Sequence, residues 1–202
     1  MSAAKPFQFD PEHVAHAEAA GWKAYYDHNW PQMLWLIVEL CQAQFHIPFP
    51  ISLLASYYIV RASAAWVAPD HDEQAILALH ERFYKIARRY SGLNFDPLRV
   101  AKLEEQYWDV HRRLSGKSDK TEFIQTMVDL HSAAFCISPA QARESAELRV
   151  LANNTVDLIT SKTSTDPQAD WAKLEEYLRQ CYRSIKRELD SLPSAAATQT
   201  AQ

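Results

Sequence analysis

The chain has 202 residues, 48% hydrophobic and 23% charged, with a formal net charge of −4. That is the profile of a globular protein with enough chain for a sizeable core, and its acidity argues against nucleic-acid binding by bulk charge. Only three glycines occur, too few for a hairpin-rich β fold, and there is no GxGxxG or GxxxxGK[ST] motif to cradle a cofactor phosphate.

In chain order, the opening "MSAAKPFQFDPEH" has no apolar run followed by a cleavage site, so no secretory leader is expected. Asp10-Pro11 then begins a first helix, because the aspartate can cap an orphan amide and proline at the first helical position has no amide to orphan. The same logic places helix starts at Asp96-Pro97, Ser138-Pro139 and Asp166-Pro167, while Ser138/Gln141, Asp70/Glu73 and Asp119/Glu122 have capping-box spacing. "RRYSG" and "RRLSG" are stops, each with basic residues in the last turn and a glycine able to turn left-handed. Eight helices follow, at about 11–27, 30–46, 50–67, 71–91, 97–115, 120–136, 139–162 and 167–189.

The expected fold is therefore an all-α, single-domain bundle of about eight helices, mostly antiparallel neighbours, over residues 1–190. The polar, small-residue segment 191–202 reads as a disordered tail. The second and third helices, "MLWLIVELCQAQF" and "ISLLASYYIVRASAAWV", are apolar nearly all round and are expected at the centre. The longest apolar runs are too short to cross a bilayer. Three cysteines without metal-type spacing fit a reducing, cytoplasmic compartment, and Cys41, Cys136 and Cys181 read as small core residues.

Chemistry is sought among polar residues on apolar faces. Glu39 and Arg61 lie within the two most apolar helices, so each needs a partner, and they are expected to pair with one another. On the fifth helix, Glu104 and His111 stand two turns apart at the edge of the stripe Val100, Leu103, Tyr107, Val110, Leu114. His111 also sits with Arg112 and Arg113 in a last turn, where basic side chains favour the dipole. His80 and His131 fall on apolar stripes. Glu144 is expected on a buried stripe, whereas Glu147 and Arg149 are expected to be solvated, and "NNT" at 153–155 is an irregularity in mid-helix.

Three functional readings follow. The first is a non-catalytic helical module that binds a protein partner, a second copy of itself or an apolar ligand, without nucleic acid or membrane and without a cofactor. The second is an enzyme acting on a small, partly apolar substrate, with Glu39, Glu104 and His111 as acid–base residues and Arg61, Tyr107 and His131 binding substrate. The third is a di-metal oxidase using Glu39, Glu104 and Glu144, disfavoured because the chain has no Glu-x-x-His pair. No metal ion is called for by the sequence.

Overall fold

The structure is a computed structural model that describes residues 7–192. It contains α1 (Pro11–Tyr26), α2 (Trp30–Phe45), α3 (Ile51–Trp66), α4 (Glu73–Ser91), α5 (Pro97–Leu114), α6 (Thr121–Phe135), α7 (Pro139–Thr160) and α8 (Pro167–Ser191), with no strand among the described residues. The caps explain the boundaries. Asp10, Asn29, Asp72, Asp96, Ser138 and Asp166 each accept an amide hydrogen bond from the first turn of the helix that follows. Ser138 and Gln141 form the full reciprocal box. The fourth helix starts from Asp72 rather than Asp70, and Asp119 bonds only the Thr121 amide at 2.9 Å, so two of the three expected boxes do not form. Gly92 and Gly116 turn left-handed at φ 76° and 72°, as the two stops require. The last helix runs to Ser191; the rest of the expected tail, 193–202, lies outside the described residues.

Each helix packs on its neighbours in sequence, and α8 returns to pack on α1. The eight helices thus close into a ring, with short connections reversing direction at each step. A large hydrophobic cluster runs round its inner face, from Val14 and Ile37 through Phe83, Val100, Met127 and Val150 to Leu178 and Ile185, and a small separate one joins Ala62, Trp66 and Ile76. α2 also touches α4, which sets α3 toward the outside. The apolar second and third helices are consequently not central. They leave Trp35 59%, Leu54 45% and Tyr57 50% exposed, because their apolar residues exceed what one inward stripe can bury. Cys41 and Cys181 are buried, but Cys136 is exposed at the left-handed cap of α6, so the core reading fails for that one. No helix is long and apolar enough to cross a membrane among the described residues.

His80 is fully buried in α4, edge-on to the Trp108 ring with 4.7 Å between centroids. Neither ring nitrogen has a hydrogen-bond partner among the described residues. Burial lowers its pKa to about 3. In the unfolded chain a histidine takes up its proton near pH 6.5, whereas His80 stays neutral until far lower pH. Between those two values the unfolded state binds the extra proton, so stability is lost as pH falls through that window. Replacing His80 by Phe should flatten this loss by up to about 1.4 kcal/mol per pH unit. Chemical denaturation at several pH values between those limits checks it, and parallel curves for the two proteins would contradict it.

Candidate functional site

The ring is hollow. A cavity of about 590 Å³ lies inside it, and every one of the eight helices contributes to the wall. Helix spacing sets the contributions. On α1, Glu18, Trp22 and Tyr25 follow one another at steps of three and four; on α5, Tyr107 and Trp108 each lie three or four residues from both Glu104 and His111; on α7, Arg149, Asn153, Asp157 and Thr160 again follow at steps of three and four. Met33, Ile37, Leu40 and Phe45 of α2, Phe83 of α4 and Met127 and Leu130 of α6 supply apolar surface. Arg112, Ser115 and Thr160 line the cavity yet are exposed, which puts its mouth at the C-terminal ends of α5 and α7.

The deepest polar feature is an ion pair. Arg149 donates through both terminal nitrogens to Glu18, at 2.7 and 2.5 Å, and both side chains are about nine-tenths buried. Tyr182 donates to the same carboxylate at 2.6 Å. The Arg149 guanidinium lies 4.8 Å from the Trp22 ring centre, within cation–π range. Burial alone would lower the Arg149 pKa; the Glu18 charge, Tyr107, Tyr182 and the hydrogen bonding to Glu18 together outweigh it and hold the guanidinium well above its ordinary value. Asn153 ties the pair to α5, accepting from Tyr107 at 3.0 Å and donating to the Arg149 carbonyl at 2.9 Å. The asparagine in mid-helix is thus a buried link between two helices.

A second carboxylate stands apart from this pair. Glu104 accepts from the Tyr84 hydroxyl and from the Trp108 indole N–H, each at 2.9 Å and one on each oxygen. Burial raises its pKa, with the two donors and the Arg149 charge pulling the other way. His131 Nδ1 lies 2.9 Å from Ser145 Oγ, and that hydroxyl is itself directed at the Ala142 carbonyl at 3.0 Å. The serine therefore accepts from Nδ1–H. Burial, aided by the Arg149 charge, lowers the His131 pKa to about 3, so the ring is neutral and Nε2 keeps a lone pair. Near the mouth, His111 bonds Asp157 at 2.9 Å and lies nearly parallel to the rings of Tyr107 and Phe123, which adjoin it and one another. The phenols of Tyr84, Tyr107 and Tyr182 are raised by burial, Tyr107 to about 12, and all act as neutral donors.

Of the residues singled out in the sequence, Glu104, Tyr107, His111 and His131 share this cavity. Glu39 and Arg61 do not. Glu39 is half-exposed on the outside of the ring, 2.8 Å from His13, and Arg61 is exposed on the outward face of α3, so the expected buried pair does not exist. The physical reason is the one that exposes Trp35 and Tyr57: both helices carry apolar residues on their outer faces, which masks the fact that those faces are wet. Glu144 is likewise outside, bonded to Ser184 at 3.0 Å and to Arg187. The three carboxylates of the di-metal reading therefore never meet, and no group of three or more His, Cys, Asp or Glu side chains is arranged to hold a metal ion among the described residues. Glu147 is solvated and pairs with Arg143, as expected, whereas Arg149 is buried. Glu105 has one oxygen enclosed without a partner among the described residues, and burial together with Glu73 and Asp109 pushes its pKa up to about 7.

Two residues that the sequence reading missed, Glu18 and Arg149, form the centre of the site. A signal was present for each. Glu18 continues the stripe Val14, Gly21, Tyr25, and Arg149 continues Ala142, Ala146, Asn153. No family model, no curated protein and no solved structure matches the chain. What the fold and the site define is a ring of eight helices closed round an aromatic, partly polar hollow.

Glu39→Ala and Arg61→Ala should each change stability by less than about 1 kcal/mol, as exposed groups do. Tyr182→Phe should cost roughly 1.5–3 kcal/mol, since it removes a hydrogen bond to a buried carboxylate. Urea titration of the three variants checks the contrast; equal losses in all three would overturn the placement of inside and outside.

Proposed function

We propose that the chain is a small-molecule binding module whose ligand enters the end of the ring and lies in the hollow. The observation that supports this reading most is the cavity itself: about 590 Å³, bounded by all eight helices, with a wall of rings and aliphatic side chains broken by a few convergent polar groups. Ligand sites have this size and this mixture. The ligand body is apolar and flat, to suit slots between Trp22, Tyr25, Tyr107 and Trp108. The setting is reducing and cytoplasmic, in keeping with three free cysteines. The protein-partner and self-association forms of this reading would instead use the exposed strip of Trp35, Phe49, Leu54 and Tyr57.

The enzyme reading stands second. It is favoured by one observation, that Glu104 and the neutral His131 border the same space and could exchange protons with a bound substrate. It is weakened because Glu39 and Arg61 are elsewhere and His111 is committed to Asp157.

A neutral apolar dye, N-phenyl-1-naphthylamine, should bind one molecule per chain with saturation and with a rise in its emission. Ala134→Trp, which fills the inner wall, and Ser63→Trp, nearer the mouth, should each weaken that binding at least about tenfold while the melting transition stays cooperative. Linear, unsaturable dye uptake by the wild-type protein would contradict the proposal.

A further inference from the structure

The charged groups around the hollow differ in the partners they have, and the difference bears on what the hollow accepts. Glu18 and Arg149 neutralise one another through two hydrogen bonds. Three Arg149 N–H donors remain, the Nε–H and one on each terminal nitrogen, and Nε is buried without a partner among the described residues. Asp157 bonds His111 through Oδ1 near the mouth, while its Oδ2 is buried without a partner among the described residues. Arg112 is held at the rim, donating to the Trp66 carbonyl at 2.7 Å with its guanidinium 4.5 Å from the Trp66 ring centre.

Glu104 is different. Its two hydrogen-bond partners are neutral, a phenol and an indole, and each oxygen holds one of them and so retains a free lone pair. The side chain lies deep among the helices and yet keeps accessible surface, and that surface is cavity wall. His131 adds a second acceptor, its Nε2 lone pair. Glu104 and His131 thus both offer a ligand an acceptor, the first a carboxylate hydrogen-bonded only by neutral groups. Aromatic rings surround them, and the faces of Trp and Tyr attract positive charge.

We propose that the ligand is an organic monocation, a flat or polycyclic amine whose charged nitrogen docks against Glu104 while its ring system fills the aromatic slot. A buried carboxylate with no cation in direct contact is costly, and a cationic ligand supplies that contact. The proposal rests on the binding function above and names its ligand class.

Three probes on one tricyclic frame test it: 9-aminoacridine, a cation at neutral pH; acridine, neutral; and acridine-9-carboxylate, an anion. Isothermal titration should give affinities in the order cation, neutral, anion, with the cation at least about tenfold tighter than acridine. Glu104→Gln should remove most of that preference and leave acridine binding within about threefold, while Glu104→Asp, which keeps the charge, should restore it. If Glu104→Gln does not fold, the ratio of cation to acridine in the wild-type protein decides alone. Saturable acridine binding equal to or tighter than that of the cation overturns the charge inference and leaves the binding function standing. No saturable binding of any of the three overturns both.

Discussion

The pairing of Arg149 with Glu18 is the constraint on which the rest of the structure depends. It joins α7 to α1 across the position where α8 closes the ring, and Tyr182 brings α8 into the same cluster. Two charges taken out of water need each other, and also need their remaining atoms satisfied, for the arrangement to be stable. The chain meets most of that need with three hydrogen bonds to Glu18, the Trp22 face under the guanidinium and the Asn153 link to Tyr107, and leaves Arg149 Nε buried without a partner among the described residues. Geometry on this scale specifies one arrangement of three helices, where apolar packing alone would tolerate several.

A hollow ring is an unusual solution for a helical chain, since interiors normally pack to the density of organic crystals. A cavity wall of large rings reconciles the two. Tyr84, Tyr107 and Trp108 pack their backs against neighbouring helices and turn a face or an edge to the hollow. Their polar atoms are spent on the carboxylate and amide that would otherwise face the cavity unpartnered. The same residues thus hold up the fold and furnish the site, and the two roles share one set of interactions.

The fold was legible because helix ends are local. Asp-Pro and Ser-Pro starts and Arg-Arg-Tyr-Ser-Gly and Arg-Arg-Leu-Ser-Gly stops act within one turn, so every boundary could be placed within two residues. Half of the site was legible for a related reason: Glu104, Tyr107, His111 and His131 sit on periodic stripes in helices that are polar elsewhere. The other half was hidden by composition. Glu39 and Arg61 stand out in apolar helices, but the excess apolar surface of α2 and α3 faces outward. Glu18 stands among alanines, and Arg149 follows Glu144 and Glu147, so each looks like part of a solvated helix. Which face of a helix turns inward is a property of the ring, and is fixed by partners more than one hundred residues away in the case of Glu18 and Arg149.

A double-mutant cycle at Glu18 and Arg149 tests this account most directly. Stability is measured by urea denaturation for the wild-type chain, Glu18→Gln, Arg149→Met and the double variant. A buried, bidentate pair that organises the ring predicts a coupling energy of roughly 3 kcal/mol or more, with each single variant far less stable than the wild type. A coupling below about 0.5 kcal/mol, the value of an exposed pair, would contradict it.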